Sequence, residues 1–494
     1  MPSDASFFGR RRELELLSSL WAARGASLLV LYGRRRIGKT RLLTHWIGQS
    51  NSRALYWVAV PTTSQEQLRS FSQALYNLGN PNTVAPGAFT YATWEQAWVQ
   101  AAALAHQDRL ALFVDEFTYL LESDPGLAGV LQNAWDHHLK GSNLFLALSG
   151  SHLGMMQRQL LSYQAPLYGR ATAQLHLRPL PFGVTKSYFP HYTPADRVAI
   201  YAMFGGVPAY WERIDQRLTV SQNIQRQLLT PNNLMQEEPR LLLQDFVREP
   251  HNYVALLRAT AQGARTQKEI STHTGLPQGH VSKYLSVLQE AGYIERRVPV
   301  TQSPRSRLGR YHVIDPYLRF YFRFLAGRQA QLALGATQRA LDEIKRHLLD
   351  FIGTHTWEEL CREWVLWAGD RGELPLAPDQ VGSAWTSRVQ VDVVGINSRE
   401  KTLCLGESKW SPRRAERRVL TDLIAKTAEI VPKQGQWQVL YLGFARGGWT
   451  PAATDFAQEL AQSKETGGNW QVVGVRLLSL DQVDADLARW TGTD

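Results

Sequence analysis

The feature that most restricts the fold of this chain is a glycine-bounded loop at residues 33–40. The loop follows an apolar run at residues 28–32 that is typical of a buried strand, and it precedes a helical pattern at residues 41–49. Strand, loop and helix in this order are the context in which the pattern G-x-x-x-x-G-K-[ST] binds phosphate. The sequence therefore predicts a sheet with a phosphate site at the end of one strand. In full, the loop consists of Gly33, Arg34, Arg35, Arg36, Ile37, Gly38, Lys39 and Thr40.

The chemistry of this phosphate loop follows from its residue types. Gly33 and Gly38 allow backbone conformations that are closed to other residues, so successive N–H groups can turn towards a phosphate tail. The helix that begins near Arg41 adds partial positive charge. Lys39 is expected to reach the β- and γ-phosphates of ATP, and the Thr40 hydroxyl is expected to ligate Mg²⁺. ATP and Mg²⁺ are therefore the predicted cofactors.

A second, acidic element is expected to support the metal ion. Residues 110–114 form another apolar run, and it is followed directly by Asp115 and Glu116. Asp115 is predicted to hold Mg²⁺ through water, and Glu116 is predicted to orient or deprotonate the attacking water. Carboxylates after a strand can alternatively cap a helix. The phosphate loop upstream favours the catalytic interpretation.

Weaker signals suggest further residues around the nucleotide. The polar residues 149–151 follow an apolar run and are expected near the γ-phosphate or its water. Arg170 is predicted to stabilise charge on the transferring phosphoryl group, in cis or across a subunit interface, or else to be a surface arginine. Phe8, Gly9 and Arg10 are predicted to wrap the adenine base.

Length and composition narrow the class of protein. The chain has 494 residues, of which 20% are charged and 44% hydrophobic, which excludes a disordered or fibrous chain. The formal net charge of +10 favours a polyanion as partner, although ordinary enzymes are also mildly basic. No apolar run approaches the roughly 20 residues that cross a bilayer. Residues 1–8 lack a secretory pattern, and two cysteines, Cys361 and Cys404, cannot form a disulfide framework. A soluble, cytoplasmic protein without a membrane partner is expected.

Residues 266–291 have the pattern of two helices joined by a glycine turn. Thr266 and Glu269 form a capping-box pattern at the start of the first helix. The early turns of the second helix are where a recognition helix meets base edges. The residues predicted to contact DNA there are Gln278, His280 and Lys283.

Two strands are predicted within residues 293–313, joined by an arginine-rich loop at residues 302–310. Arg305, Arg307 and Arg310 are predicted to contact DNA phosphates, which would make binding salt-dependent and largely independent of sequence. A module of this kind can alternatively serve protein interaction or act as a lid. DNA is nevertheless the expected partner.

Carboxylates occur on two further predicted strands, at residues 385–396 and 402–410. Alternation puts Glu407 and Lys409 on one face, and the turn between the strands puts Asp392 directly opposite Glu407 or diagonal to it. Cross-strand Cβ distances of roughly 4.5–8 Å would let both carboxylates bind one metal ion. Lys409 would then position water or stabilise a pentavalent phosphate. Alternatively, Glu407 and Lys409 form an exposed ion pair of little energetic weight.

A series of short motifs occurs in one order along the chain: Phe8-Gly9-Arg10, residues 33–40, Val114-Asp115-Glu116-Phe117, Gln132-Asn133-Ala134-Trp135-Asp136, Ser149-Gly150-Ser151, Pro166-Leu167-Tyr168-Gly169-Arg170 and Gly205-Gly206-Val207-Pro208. This series resembles the archaeal-type P-loop ATPases of the STAND/AAA-like group. The resemblance implies an ATP-driven switch and leaves the substrate open.

Two further resemblances concern the rest of the chain. Residues 266–313 resemble a winged helix-turn-helix. The spacing of Asp392 and Glu407-Ser408-Lys409 resembles the PD-(D/E)xK nuclease core. That core often uses a further acid on a helix, and the candidates are Glu358, which is favoured, Glu359 and Glu363.

The predicted fold class is α/β. We expect a P-loop NTPase parallel sheet core at residues 1–175 and a helical lid at 176–245. A winged helix-turn-helix at 246–325 and a helical connection at 326–355 precede a mixed α/β nuclease-like domain at 356–494.

Two main functions are compatible with this sequence. The first is an ATPase that couples a nucleotide switch to DNA binding and to metal-dependent DNA cleavage. The second is a STAND-type regulatory switch that binds DNA or protein without cutting either, with a dead nuclease domain as a variant of this idea. The sequence is compatible with a homo-oligomer. It does not specify which DNA is preferred, what triggers the switch or which pathway it serves.

Overall fold

The structure, a computed structural model, describes residues 7–244, 250–463 and 466–492. The chain forms two compact units. The first runs to Leu180 and includes Val207–Tyr210, and the second contains Pro181–Gly206 and the chain from Trp211 onward. The predicted boundary between lid and winged helix, at residues 245–246, lies outside the described residues.

A parallel five-stranded sheet forms the centre of the first unit, in the order β2-β3-β4-β1-β5. Three of the strands, β1, β3 and β4, are almost entirely buried, because helices cover both faces of the sheet. The predicted strand at residues 28–32 is confirmed, and the apolar run at residues 110–114 also forms a strand. The sequence did not predict the fifth, which is an edge strand of mixed polarity and spans the predicted boundary at residues 175–176. The strands are β1 Ser27–Tyr32, β2 Ala54–Val58, β3 Leu110–Asp115, β4 Leu144–Gly150 and β5 Ala173–His176.

Helices connect the strands of this sheet. The predicted helix at 41–49 begins two residues earlier, at Lys39, because Gly38 adopts a left-handed conformation with φ +94° and ends the phosphate loop. The threonines Thr63 and Thr93 cap two of the other helices through their side-chain oxygens. The helices are α1 Arg11–Ala22, α2 Lys39–Ser50, α3 Ser64–Gly79, α4 Trp94–Gln107, α5 Phe117–Ser123, α6 Leu127–Ala134 and α7 Leu153–Met156, with π-helical turns at Trp135–Leu139 and Gln157–Leu161.

The second unit begins with helices and contains the winged helix. The capping box of Thr266 and Glu269 is present, and Gly275 ends the same helix with φ +71°. Apart from α10 Pro208–Trp211, most of which belongs to the first unit, the helices are α8 Thr185–Tyr188, α9 Pro194–Phe204, α11 Val220–Ile224, α12 Leu234–Gln244, α13 His251–Ala261, α14 Gln267–Thr274 and α15 Gln278–Glu290. They precede the hairpin of β6 Ile294–Arg297 and β7 Arg310–Val313.

A helical segment follows, as predicted, and leads into a mixed sheet. The sheet has the order β12-β13-β11-β10-β9-β8. The predicted strand at 385–396 is in part wrong: Trp385 ends one strand, Gln390 begins the next, and a turn separates them. The remaining elements are α16 Pro316–Phe320, α17 Gln329–Ala333, α18 Thr337–Phe351, α19 Glu358–Asp370, β8 Gln380–Trp385, β9 Gln390–Asn397, β10 Thr402–Lys409, α20 Arg417–Ile430, β11 Trp437–Ala445, α21 Pro451–Ser463, β12 Thr466–Gly467, β13 Trp470–Ser479 and α22 Leu480–Thr491.

These elements confirm the α/β class, with a parallel core, a winged helix and a C-terminal mixed sheet. Among the described residues, none of the helices is both long and apolar enough to traverse a membrane.

Candidate functional site

The phosphate loop joins the end of β1 to the start of α2. A Cβ atom added to Gly33 would lie 2.4 Å from the carbonyl oxygen of Leu177, so only glycine fits there. Gly38 has φ +94° and Arg36 has φ +67°, which shows how sharply the loop turns. Ile37 is buried and anchors the loop to the core. This backbone has the form that a phosphate cradle requires.

Lys39 lies inside the loop and is almost fully buried, with 5% of its surface exposed. Its Nζ donates to the carbonyl oxygens of Gly33 and Arg34 at 2.9 and 3.1 Å. Burial lowers the pKa of Lys39, while the charges of Glu116 and Asp115 oppose that shift. The ammonium group is thus held at the loop by neutral carbonyls, which an anionic phosphate can replace as stronger acceptors.

Asp115 ends β3 and lies opposite the start of α2. Thr40 Oγ1 donates to Asp115 Oδ2 at 2.7 Å, and the Tyr56 hydroxyl of β2 donates to the same oxygen. Burial alone would raise the pKa of Asp115, but the hydrogen bonds from Thr40 and Tyr56 outweigh it and lower the pKa. The carboxylate therefore stays ionised beside the Thr40 hydroxyl, as a magnesium site requires.

Glu116 adopts the left-handed conformation with φ +52°, unusual for a residue other than glycine. Ser151 Oγ donates to Glu116 Oε1 at 2.7 Å and accepts from Lys39 Nζ at 2.9 Å. Ser151 follows β4, which lies between β1 and β3 in the sheet. A hydrogen-bonded path thus joins the lysine of the phosphate loop to the carboxylate of Glu116.

Arg10 braces the phosphate loop. Its guanidinium group donates to the carbonyl oxygens of Ile37 and Arg178, and it pairs with Glu13 at 2.9 Å. Its side chain is 7% exposed. These contacts give Arg10 a structural role that the sequence did not indicate, and contact of Phe8, Gly9 and Arg10 with adenine stays a prediction.

Arg170 is bound by an acid. Its Nε and Nη2 donate to Asp136 at 2.7 to 3.1 Å, and its Nη1 donates to the carbonyl oxygen of Pro166 at 2.9 Å. The hydrogen bonds that Arg170 donates to Asp136 raise the pKa of Arg170. In the described residues, no hydrogen bond or ion pair joins Arg170 to the phosphate loop. Its predicted catalytic role stays a prediction, and it would require release from Asp136.

Several residues of the site were missed by sequence reasoning. Tyr56 lies in no motif that would identify it as a residue of a nucleotide site. Asp136 belongs to the motif at residues 132–136, but nothing in the sequence linked it to Arg170. Arg35 likewise binds a residue of α5, since its guanidinium group donates to the Tyr119 hydroxyl at 2.7 Å.

In the winged helix, the recognition helix α15 packs on the core through Val281 and Leu285. Its predicted DNA-contacting residues Gln278, His280 and Lys283 are all exposed. The helix therefore presents a polar surface, as the prediction required.

The loop between β6 and β7, which we call the wing (residues 298–309), lies against the C-terminal sheet. Val300 N–H donates to the carbonyl oxygen of Ser383 in β8, and Trp385 Nε1 donates to the carbonyl oxygen of Leu308. Arg310 lies over the Trp385 ring at 4.6 Å and donates to Gln390 Oε1 at 3.0 Å. Arg310 thus has protein partners, and its contact with DNA stays a prediction.

The other wing residues predicted to bind phosphate, Arg305 and Arg307, are exposed. The preceding strand also carries arginines with protein partners: Arg296 donates to the carbonyl oxygens of Pro304 and Ser306. Arg305 and Arg307 are therefore the wing positions best placed to meet a polyanion.

The predicted carboxylate pair is present in the C-terminal sheet. The ladder of β9 and β10 pairs Val393 with Gly406, so the next pair places Asp392 opposite Glu407. Glu407 is 8% exposed and pairs with Lys409, whose side chain is 43% exposed, so the alternative ion pair is present but its carboxylate is buried. Burial raises the pKa of Asp392, and the charge of Glu407 adds to that shift.

Two lysines neutralise Glu407. Lys409 Nζ donates to Oε1 at 2.8 Å, as alternation predicted, and Lys426 of α20 donates to Oε2 at 2.9 Å. Ser408 donates to Asp392 Oδ2 through its amide and its hydroxyl, at 3.3 and 3.2 Å. Sequence reasoning missed Lys426, because this residue lies on a helix beyond the motif.

The third predicted acid, Glu358, pairs with Arg362 at 3.3 Å at the start of α19. Burial raises the pKa of Glu358 to about 8, and the charge of Asp392 adds to the shift. Glu359 instead binds Arg297 and Arg319. Across the described parts of the chain, no group of three or more His, Cys, Asp or Glu side chains is arranged to hold a metal ion. Binding of a cation by Asp392 and Glu407 stays a prediction, and so does the third ligand that the nuclease resemblance suggests.

Segments of the chain match known families. Residues 7–214 match an ATPase domain predominantly from Archaea, and residues 250–302 match the MarR family. With the geometry of the phosphate loop, the first match makes the N-terminal part a P-loop ATPase, and the second makes residues 250–302 a MarR-like winged helix. Residues 321–420 match archaeal and bacterial proteins of unknown function. That match does not bear on cleavage, and the nuclease resemblance stays a prediction.

Individual proteins are also similar to this chain. An uncharacterized protein of Methanocaldococcus jannaschii is 28% identical over 423 residues, which cover 85% of this chain and 92% of that protein. The Walker-type ATPase of Pyrococcus abyssi is 17% identical, with a TM-score of 0.49 over 64% of this chain and 96% of that structure. The ORC2 protein of Aeropyrum pernix, in ADPNP and ADP complexes, is 13% identical, with a TM-score of 0.40 over 69% and 98%. Structural likeness at these scores carries no argument about what this chain binds.

Proposed function

We propose that this chain binds ATP with Mg²⁺, hydrolyses the nucleotide, and thereby alters how its winged helix binds DNA. The observation that carries this proposal is the hydrogen-bonded path from Lys39 through Ser151 to Glu116. That path joins the phosphate loop to the carboxylate best placed to act on water.

In the binding step, each group around the phosphates has one role. The amides of residues 33–40 and the Lys39 ammonium group hold the phosphates, and Lys39 exchanges its carbonyl contacts for phosphate oxygens. Thr40 and Asp115 would hold Mg²⁺, because they already share a hydrogen bond at 2.7 Å and Asp115 is ionised. When bound, Mg²⁺ neutralises charge on the phosphate oxygens.

In the hydrolysis step, Glu116 orients a water and accepts its proton as the water oxygen attacks the terminal phosphoryl group. Ser151 keeps the carboxylate in position through its 2.7 Å hydrogen bond. Arg170 would stabilise the transferring group after leaving Asp136, in its own subunit or in a neighbouring copy of a homo-oligomer.

The ATPase proposal is tested with matched variants. Lys39→Ala should lose ATP binding in calorimetry, because the ammonium group and its phosphate contacts are gone. Glu116→Gln should bind ATP but hydrolyse it about 10²- to 10⁴-fold more slowly, the range expected for a lost general base. The control Glu66→Gln removes an exposed acid of α3 and should change neither. Unchanged ATP affinity in Lys39→Ala would refute the site.

Binding to DNA rests on the exposed polar face of α15 and on Arg305 and Arg307 of the wing. The MarR-family match supports a winged helix, a module that often reads DNA with its second helix. ATP and DNA are both partners found in the cytoplasm, which is the proposed location.

A second candidate function is metal-dependent DNA cleavage by the C-terminal sheet. The observation that favours it is the opposed pair of Asp392 and Glu407, with Lys409 beside them. Two buried carboxylates in this position repel one another unless a cation or a proton lies between them. Here Asp392 and Glu407 would hold the cation, and Lys409 would stabilise charge on the phosphate.

The cleavage proposal needs its own measurement. Wild-type protein should nick linear, branched or single-stranded DNA in the presence of Mg²⁺ or Mn²⁺, and Asp392→Ala should abolish nicking while ATPase activity persists. Asp422→Ala, which removes an exposed acid of α20, is the control. If wild-type protein never cleaves any of these substrates, the alternative of a regulatory switch without nuclease activity is favoured.

A further inference from the structure

A cavity of about 310 Å³ lies in the second unit, where the winged helix meets the helices that follow it. The residues that line it belong to the end of α13, to β7, to α16 with the π-helical turn Tyr321–Leu325 that follows it, and to the end of α18. Neither the phosphate loop nor the carboxylate pair of the C-terminal sheet contributes to it. We call it the arginine–histidine pocket, after the lining residues Arg265, Arg319, Arg323, His312, His347 and His355.

Positive charge exceeds negative charge around this pocket. The two terminal nitrogens of Arg319 bind Glu359 at 2.8 and 2.9 Å, and Arg297 binds the same carboxylate at 2.9 Å. Arg297 also pairs with Glu295, so two carboxylates balance these two guanidinium groups. Arg265 and Arg323 form no ion pair with any described residue. Their two positive charges exceed the single negative charge of Asp350, the acid that lines the pocket.

One buried donor in the pocket also lacks an acceptor. Arg319 is 5% exposed, and its Nε has no hydrogen-bond partner among the described residues. A buried donor without a partner destabilises the fold, and more so when the group is charged. The acid that lines the pocket, Asp350, is exposed to solvent and makes no contact with Arg319 that would satisfy this donor.

The positive charge of the pocket also lowers the pKa of two of its histidines. Burial lowers the pKa of His355 to about 3 and that of His312 to about 2, and the neighbouring arginines add to both shifts. Both rings are therefore neutral near pH 7, and each offers an N–H donor. The charged groups that act on the two rings are Arg265, Arg297, Arg319 and Glu359.

We propose that the arginine–histidine pocket binds the phosphate group of a small phosphorylated molecule. A phosphate group supplies the negative charge and the acceptor oxygens that unpaired guanidinium groups favour. The cavity is larger than a phosphate ion needs, and it lies at the lower end of the roughly 300–1,000 Å³ typical of small-molecule sites. The ligand is therefore inorganic phosphate or a small phosphate ester, such as a nucleoside monophosphate.

The test uses the full chain carrying Lys39→Ala, so that phosphate binding at the phosphate loop does not contribute. Inorganic phosphate and AMP are titrated separately by calorimetry, and saturable binding with one ligand per chain is expected for at least one of them. AMP binding at least tenfold tighter than phosphate identifies a nucleotide as the ligand class. Equal affinities identify the phosphate group alone as the recognised feature. No saturable binding of either probe at millimolar concentration overturns the proposal.

Variants of the pocket connect the binding to its residues. Adding Arg265→Gln with Arg323→Gln should weaken binding at least tenfold, because two unpaired charges are removed. Adding Arg339→Gln, which removes an exposed arginine on the outer side of α18, should leave affinity unchanged. If the double glutamine variant does not fold, Arg265→Lys with Arg323→Lys keeps the charges and should still weaken binding, because lysine cannot bind phosphate in a bidentate manner. Affinity that stays unchanged in the folded pocket variants overturns the proposal. These affinities do not depend on ATP hydrolysis, so the experiment tests the pocket separately from the proposed ATPase activity.

Discussion

Individual charged residues in this protein are controlled by burial and by their nearest partners. Asp115 remains ionised although buried, because Thr40 and Tyr56 donate to it. His355 behaves in the opposite way, since burial and nearby arginines keep its ring neutral. The same two physical effects thus give an ionised carboxylate at one site and a neutral imidazole at another.

The depressed pKa of His355 makes stability depend on pH. In the unfolded chain the ring takes up a proton below its ordinary value near 6.5, whereas the folded ring resists protonation until about pH 3. Between these values the unfolded state binds more protons, so the free energy of unfolding falls as the pH falls. One such group contributes a slope of up to about 1.4 kcal/mol per pH unit.

Urea unfolding of wild type and His355→Gln between pH 4 and 7 measures this contribution. The variant should show a shallower loss of stability on acidification, with His312 still contributing. His106→Gln, at an exposed position of α4, should leave the wild-type slope unchanged. Equal slopes in wild type and His355→Gln would show that the folded ring is protonated as easily as the unfolded one.

Among the structural elements, the wing makes contacts that the sequence did not predict. Its first part pairs with β8, the edge strand of the C-terminal sheet, through the amide of Val300. Near its end, the carbonyl oxygen of Leu308 accepts a hydrogen bond from Trp385 Nε1, and Arg310, the first residue of β7, lies over the same ring. The wing therefore covers a sheet edge that would otherwise present unpaired backbone groups to solvent.

This arrangement predicts an unequal role for the wing arginines in DNA binding. Each phosphate contact adds about 0.9 to the slope of log affinity against log salt. Arg305→Ala and Arg307→Ala should each lower that slope by about 0.9, because these side chains are exposed. Arg310→Ala is the matched control and should leave the slope unchanged. Salt titrations of DNA affinity for the three variants decide this, and an effect of Arg310→Ala equal to the other two would contradict it.

At the scale of the whole molecule, the second unit is closed by a contact between distant parts of the chain. Arg197 of α9 and Asp484 of α22 form a buried ion pair at 2.6 Å, and each side chain is 6% exposed. Nearby, a Cβ atom on Gly183 would lie 2.2 Å from the carbonyl oxygen of Leu487, so α22 packs closely on the start of the unit. The helix α22 is thus part of the core that supports the helices at the start of the second unit.

Removal of one partner from this pair should be costly. Arg197→Met is expected to lower the free energy of unfolding by about 3–5 kcal/mol, because Asp484 is left buried without a partner. Combining Arg197→Met with Asp484→Leu should restore most of that loss.

The exposed pair of Arg217 and Asp215 provides the control, since Arg217 is 89% exposed. Arg217→Met should lower the free energy of unfolding far less than Arg197→Met, because solvent screens an exposed ion pair. Urea unfolding of these variants measures all of the changes. A loss in Arg197→Met no larger than in Arg217→Met would show that the buried pair does not hold the unit together.

Much of the ATPase part was predictable from the sequence. The phosphate loop, its strand, its helix and the acids at the end of β3 are signalled by residues adjacent in the chain. Backbone conformation and hydrophobic periodicity depend on such near neighbours, so these signals persist whatever the rest of the chain does. The opposed pair of Asp392 and Glu407 was predictable for the same reason, because a short turn joins their strands.

Only the tertiary structure decided which partner each charge meets. Arg170 binds Asp136, which is 34 residues away, and Arg197 binds Asp484, which is 287 residues away. Lys426 reaches Glu407 from a separate helix. The chain contains 54 Lys and Arg residues and 44 Asp and Glu residues, so sequence spacing cannot select among the many available pairs. Packing selects them, because burial makes the charge of each group depend on the neighbours that the fold brings within a few ångströms.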